Sequence, residues 1–518
     1  MDRLLIMSKA VKKIVVVGGG TAGWLTAAVI AAHHQSITAE GQKPAVQVVL
    51  VESSDIPTVG VGEGTWPTMK NTMQQIGIKE SDLFEKCHAV FKQGGKFVDW
   101  VNGNGDFYYH PFTVPLGYGR IDLAPYVKNI ENYAVESNFQ HHICEAGLAP
   151  RTMAETEYKG QCNYAYHLDA GAFAELLKDH CKSKLGVEHV VATVEDTVLT
   201  NDGAIQHIVA SGVGEISADL FVDCTGFASL LLGKALDVPF VSVDDVLFND
   251  TALAMHVPYE DIDSPIACHT IATAQNAGWI WDIGLTHRRG VGHVYSSDYL
   301  SDDEAEANLR KYLGVAAEGI SARKINFKSG HRKQFWKKNC VAVGMSAGFV
   351  EPLEATAIML VELSARYIAE NLPADDSLLP IAEKRFNQQM QYRWQRIIDF
   401  LKLHYMLTKR PEPYWQAHVA EASIPESLKE DLAIWSYRGP TSQDFDSAIE
   451  LFPAASYQYV LYGMGFNPDF SKQSHLYRQH QQAEQIIKRN QQLTQQMLQT
   501  LPPHRDYIEK WLASANKR

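Results

Sequence analysis

No two cysteines in this chain stand as Cys-x-x-Cys, and the seven present (Cys87, Cys144, Cys162, Cys181, Cys224, Cys268, Cys340) are scattered and odd in number. Such spacing points to neither a zinc motif nor a disulfide framework, so no metal is expected and a reducing compartment fits. Long apolar runs are missing as well: none approaches the roughly eighteen residues that a membrane helix needs. Positive charge is in deficit, with 47 Lys and Arg against 60 Asp and Glu and a formal net charge of -13. That balance argues against nucleic acid as a partner, since phosphate recognition needs a basic field. Near the N-terminus, Arg3, Lys9, Lys12 and Lys13 precede a glycine turn without a small-residue cleavage site, and Met7 is an alternative start. A signal peptide is therefore not expected, and the chain reads as cytoplasmic. No internal repeat is evident.

Core material, by contrast, is ample. At 46% hydrophobic and 21% charged over 518 residues, the composition is that of a globular protein long enough for two or more packed units. The β-branched run Ile14-Val-Val-Val17 fits a strand buried on both faces. It leads into Gly18-Gly-Gly20-Thr21-Ala22-Gly23 and then an apolar helix from Trp24 to Ala32, and a second buried run, Val46 to Val51, ends at Glu52. This is a βαβ unit carrying Gly-x-Gly-x-x-Gly where a dinucleotide pyrophosphate would meet a helix N-terminus, with Glu52 placed to accept from ribose hydroxyls. Asp223-Cys-Thr-Gly226 and Gly344-Met345 look like further strand-end turns able to close around one extended dinucleotide. Only one such fingerprint is evident, whereas a self-sufficient flavin reductase needs a second nucleotide site. FAD, reduced elsewhere, is thus favoured over NAD. Ala172 to Lys184 reads as a helix. From about Asp375 the pattern changes to long amphipathic helices, ending in a Gln-rich tail, Gln481 to Gln499, striped by Ile486, Ile487, Leu493, Met497 and Leu498.

Seven segments stand out together: GGGTAGW (Gly18 to Trp24), IPTVGVGEGTWPT (Ile56 to Thr68), FKQGGKFVDW (Phe91 to Trp100), YAYHLDA (Tyr164 to Ala170), DCTGF (Asp223 to Phe227), GWIWDIG (Gly278 to Gly284) and FVEPLEATAI (Phe349 to Ile358). In combination they resemble the flavin-dependent halogenases of the tryptophan-halogenase family, and the resemblance covers nearly the whole chain. The resemblance implies an α/β fold with a Rossmann-like FAD box of the glutathione-reductase and aromatic-hydroxylase type. On this reading, residues 1–374 form the box, with substrate-pocket segments inserted at roughly 86–165, and residues 375–518 form a mostly helical subdomain completing the pocket. A homodimer is compatible with it. In such enzymes a flavin C4a-hydroperoxide is attacked by chloride or bromide, and the hypohalous acid formed travels to a separate pocket. There a lysine presents the halogen to an aromatic ring.

By motif position that lysine is Lys92, with Lys96 as its competitor, and Glu354 is the second catalytic group. An ammonium can donate to the hypohalous oxygen and a neutral amine can attack the halogen. A carboxylate can accept the ring proton; Glu354 also reads simply as a helix-capping acid. The remaining family correspondences put Gly18, Gly20, Thr21, Ala22, Gly23, Glu52, Gly62, Glu63, Asp223, Gly226, Gly344 and Met345 on FAD. They put Thr356 and Ala357 on halide, and His110, Phe112, Trp279, Trp281 and Phe452 around the substrate. Trp279 and Trp281 share one face of a strand. Core packing accounts for that pair, and the resemblance makes it a partition between flavin and substrate.

Three departures stand out. The usual Ser-Thr-Gly of the halide site is Ala355-Thr-Ala357, which suggests a restricted backbone. The double-tryptophan motif ends in Gly284 where proline is usual, so the strand end is expected to sit differently. Around Asp444 to Gly465, Ser447 and Leu451-Phe452 replace the residues that grip the amino-acid end of tryptophan. Indole or another electron-rich arene is therefore expected over free tryptophan, with a separate NAD(P)H-dependent flavin reductase as partner. The alternatives are a flavin monooxygenase that hydroxylates an arene and a non-catalytic flavin-binding redox sensor.

Overall fold

The structure is a computed structural model describing residues 9–35, 45–55, 62–446 and 448–515. Ser447 and residues 56–61 of the motif beginning at Ile56 lie outside the described residues. The β-branched runs become the centre of a six-stranded sheet. Its order is Trp336–Lys337, Cys340–Ala342, Leu220–Asp223, Lys13–Val17, Gln47–Glu52, Glu188–Val191, and all but the first pair run parallel. Strands buried on both faces need continuous apolar side chains, and Ile14 to Val17 supply them at 3% exposure or less. The helix Thr21–His33 crosses back over this sheet, packed between the helices Thr356–Glu370 and Ala170–Ser183. The Rossmann-like α/β reading holds.

A second sheet carries the double tryptophan. Seven strands run in the order Arg323–Asn326, Thr251–Pro258, Arg288–Tyr295, Trp279–Gly284, Thr270–Ala274, Gly94–Val98, Phe107–Pro111. A third sheet, of three strands, joins Gly62–Gly64 and Val90–Lys92 to either side of Ala165–Asp169. It packs against the second sheet and holds Lys92.

The C-terminal helices cover the Phe107–Pro111 edge of the second sheet. Leu379–Met406 is 28 residues long, and Ala454–Gly463 packs on Phe107–Pro111. The hydrophobic core is continuous from Val11 to Ile508. The Gln-rich segment forms the helix His480–Thr500, but its buried residues are Ala483, Asn490, Thr494 and Met497, while Leu498 is exposed. Small polar residues occupy the packed face because their side chains find partners there: Asn490 Nδ2 donates to the Glu136 carbonyl at 3.0 Å and Thr494 Oγ1 to the Asn490 carbonyl at 2.9 Å. Among the described residues, no helix is long and apolar enough to cross a membrane.

Candidate functional site

At the carboxyl ends of the parallel strands lies a cavity of about 490 Å³. The strand Lys13–Val17 must turn sharply into the helix Thr21–His33, and Gly18 makes that turn at φ 115°; a Cβ there would stand 2.2 Å from the Cys224 carbonyl oxygen. The turn aims the first N–H groups of the helix into the cavity, as anion binding requires. Gly18, Gly20, Thr21, Ala22, Glu52, Gly62, Glu63, Gly226, Gly344 and Met345 all line it. His189 holds Glu52, with its Nε2 2.8 Å from Oε1; nothing in the sequence marks that residue. Burial pushes the Glu63 carboxyl up to about 7.

Two of the twelve candidates for FAD do not line this cavity. Gly23 is buried beneath the turn. Asp223 is turned inward, accepting from Thr225 N, Thr225 Oγ1, Leu231 N and Leu232 N at 2.6 to 3.0 Å. It shapes the turn that follows its strand.

The cavity continues to the N-terminus of the helix Thr356–Glu370, where Thr356 and Ala357 line it. The strained residue is Ala355, a left-handed non-glycine at φ 54°, and it costs about 1–2 kcal/mol. Ala357 lies within the helix, where alanine is favourable. The restriction expected at Ala357 therefore falls on Ala355, because that is where the chain reverses into the helix.

Trp281 borders the same cavity and Trp279 does not. Their rings sit edge to face, 6.5 Å apart, and both are 5% exposed or less. Trp279 donates to Glu351 Oε2 at 3.4 Å, and Tyr405 and Asn249 donate to the same carboxyl group, whose pKa burial pushes up. Trp279 is thus tied into the core, whereas Trp281 Nε1 is buried without a protein partner. The strand stays in register through Gly284, paired with Arg289. A Cβ at Gly284 would lie 2.8 Å from Ile266 Cγ2.

Behind this boundary lies a second group of side chains. Lys92, at the end of Val90–Lys92, is 4% exposed. A Cβ placed on Gly64 would be 3.2 Å from Lys92 Nζ and 3.3 Å from Ala355 Cβ. The amine therefore lies beside Gly64, which lines the cavity. It also lies 5.2 Å from the Phe112 ring centroid. Burial pulls the Lys92 ammonium down to about 8, against the opposing charge of Glu354. Lys96 differs: its Nζ pairs with Glu145 Oε1 at 2.6 Å.

Glu354 precedes the left-handed turn at Ala355 and is 8% exposed. Its carboxylate accepts from His110 Nδ1 at 3.0 Å, and His404 Nε2 stands 3.0 Å from Oε1. Burial raises its pKa, but the two histidines outweigh it and hold the carboxyl well below the usual range. His110 continues to Ser456 Oγ at 2.8 Å, and His404 to the Tyr108 hydroxyl at 2.6 Å. Trp66 donates to the Glu354 carbonyl at 2.8 Å and packs edge-on against Phe452, which stacks on Phe400 at 3.8 Å. His110, Phe112 and Phe452 thus converge with Lys92 and Glu354. His404 escapes sequence reading, because it lies on a long helix whose pattern explains a buried residue by itself.

The residues fit a flavin dinucleotide: a glycine turn at a helix N-terminus, a carboxylate beyond it, and Trp281, with an orphaned Nε1, bordering the same cavity. Comparison with known proteins agrees. The profile of the tryptophan halogenase family matches residues 13–480. The 7-chloro-L-tryptophan 6-halogenase KtzR of Kutzneria sp. (strain 744) is 35% identical over 521 residues, covering 96% of this chain and 99% of the relative. The crystal structure of the tryptophan halogenase from Shewanella frigidimarina NCIMB 400 superposes with a TM-score of 0.93 at 44% identity, covering 98% of this chain and 99% of that one. BrvH, a flavin-dependent halogenase from Brevundimonas sp. BAL3, gives 0.84 at 30%, over 97% and 99%.

Proposed function

The chain belongs to the tryptophan halogenase family, and from that premise we propose that it halogenates an electron-rich arene lacking a free amino-acid end, such as indole. The observation that carries this reading is Lys92 and Glu354 in one buried group, against the far side of residues that line the flavin cavity. FAD, reduced by a separate NAD(P)H-dependent flavin reductase, supplies with oxygen and chloride or bromide an electrophilic halogen as hypohalous acid. Thr356 and the helix N–H groups around Ala357 hold the halide.

The Lys92 ammonium donates to the oxygen of hypohalous acid, polarising the halogen toward the ring resting on Phe112. Ring electrons form the carbon–halogen bond, and the oxygen–halogen bond breaks as Lys92 passes its proton to the departing oxygen, giving water. Glu354, ionised, takes the ring proton as aromaticity returns and hands it back to Lys92. His110 and His404 keep that carboxylate oriented. Trp281 keeps the arene away from the flavin and so disfavours hydroxylation.

Relatives named for tryptophan make free tryptophan the obvious competitor. Its ammonium and carboxylate need buried partners, and an unpaired charge is costly to bury. The charged groups beside Phe452 are already committed. Glu450 accepts from Tyr392 Oη at 2.8 Å, Leu451 N at 2.9 Å and Phe452 N at 3.1 Å. Arg396 is shared among Asp399, Asp431 and Glu450. The test supplies the protein with FAD, an unrelated flavin reductase, oxygen, bromide and equal amounts of tryptophan and indole, and reads products by mass spectrometry. Brominated indole in excess is the expected result. Preferential bromination of tryptophan would overturn the substrate assignment, and an oxygenated product without halogen would overturn the reaction.

A further inference from the structure

Outside the cavity and the Lys92–Glu354 group, three side chains converge. The ligating atoms of Cys144, Cys268 and His269 all lie within 4.8 Å of one another, and all three residues are buried. Cys144 comes from the helix Gln140–Glu145, while Cys268 and His269 immediately precede the strand Thr270–Ala274. They are remote in sequence, so no cysteine spacing announces the cluster. Cys268 Sγ stands 3.9 Å from His269 Nδ1. In a tetrahedral zinc site, with Zn–S of about 2.3 Å and Zn–N of about 2.0 Å, sulfur and nitrogen are about 3.6 Å apart. A shift of a few tenths of an ångström closes the difference.

The surroundings orient the imidazole. His269 Nε2 lies 3.4 Å from the Tyr109 hydroxyl, and that hydroxyl donates to Glu145. With its proton committed to the carboxylate, the tyrosine oxygen is left to accept. The ring proton therefore belongs on Nε2, which turns the Nδ1 lone pair toward the two sulfurs. A hydroxyl behind the imidazole, itself held by a carboxylate, is an outer partner of the kind that fixes the tautomer of a metal-ligating histidine. Two thiols waiting to form a disulfide have no need of a lone pair aimed at them.

We propose that Cys144, Cys268 and His269 bind a thiophilic divalent cation, zinc best of all, as a Cys₂His site with a water molecule or the nearby Cys144 carbonyl completing four ligands. Both thiols ligate as thiolates, so binding releases two protons to solvent and involves no change of oxidation state. The consequence is mechanical. The Cys268 carbonyl accepts the Gln93 N–H at 2.7 Å, next to Lys92 in the chain. A metal at this point would clamp the helix Gln140–Glu145 to the entry of the strand Thr270–Ala274, and through it steady the segment that carries Lys92.

The experiment is metal binding by the full chain, with no activity readout. Protein expressed with zinc and desalted should retain one zinc per chain by plasma mass spectrometry. Cobalt-loaded protein should show thiolate-to-cobalt charge-transfer absorption. Cys144→Ser and Cys268→Ser should each weaken zinc binding at least 100-fold and His269→Asn at least 10-fold, whereas Cys340→Ser, in the parallel sheet, should leave it unchanged. The cobalt spectrum of the unaltered chain stands even if a variant fails to fold. Absence of both retained zinc and the cobalt band would overturn the proposal. So would a Cys144–Cys268 disulfide found by non-reducing peptide mass mapping of native protein.

Discussion

Replacing Lys92 by methionine separates what the residue does for chemistry from what it does for the fold. Methionine fills similar space without charge. The ammonium is held at about 8 against an ordinary 10.5, which disfavours the charged form by on the order of 3 kcal/mol. That penalty is already net of the attraction to Glu354, so Lys92→Met, which removes it, is expected to stabilise the fold by up to about 3 kcal/mol. The sign follows from linkage. Below about pH 8 the lysine is charged in both folded and unfolded states, and the full penalty applies. Between about 8 and 10.5 only the unfolded state keeps the proton, and above that range the variant's advantage is gone. Halogenation should fall at least 100-fold, the ordinary scale for a lost transition-state donor. Thermal unfolding across pH 6 to 11 and single-turnover product formation are the paired assays. A variant that is less stable at pH 7, or that halogenates normally, would refute the reasoning.

Other expectations follow from the same geometry. Glu354→Gln should lower halogenation by about 100-fold or more and also lower the Lys92 pKa further, which the pH profile would report. If Lys92 acts as a donor, kcat falls above about pH 8 as the ammonium is lost; a rise through that point would make the neutral amine a nucleophile. His404→Gln should reduce kcat about 10-fold with KM for the arene unchanged, since His404 touches Glu354 and extends away to Tyr108. Trp281→Phe should raise peroxide release and oxygenated product, while Trp279→Phe should leave both near the starting level, because only Trp281 borders the flavin cavity.

Much of this is legible in the sequence alone. Ile14 to Val17, Val46 to Val51 and Leu220 to Asp223 announce a parallel sheet because strands buried on both faces must be apolar throughout. The glycine turn announces its helix for the same local reason. Lys92 could not be told from Lys96 by composition or period. Motif position separated them, and burial on one side against an ion pair with Glu145 on the other gives the physical reason. Some of what is hidden depends on contacts distant in sequence, as when His404 reaches Glu354 from the long helix Leu379–Met406. Asp223 is hidden for a local reason, since its carboxylate is spent on the turn after its own strand. The stripe on the Gln-rich helix misled at Leu498, since apolar periodicity cannot foresee that Asn490 and Thr494 find hydrogen bonds where they are buried. Cysteine spacing is silent on Cys144 and Cys268 because 124 residues separate them and only the tertiary fold brings them together.

The central claim is that two chambers meet back to back, with the flavin on the Trp281 and Thr356 side and the arene on the Lys92 and Glu354 side. A crystal structure with FAD and indole bound tests it most directly. The account predicts indole against Phe112, within reach of Lys92 Nζ, with the Trp281 ring between it and the flavin. Indole in van der Waals contact with the flavin ring would contradict it.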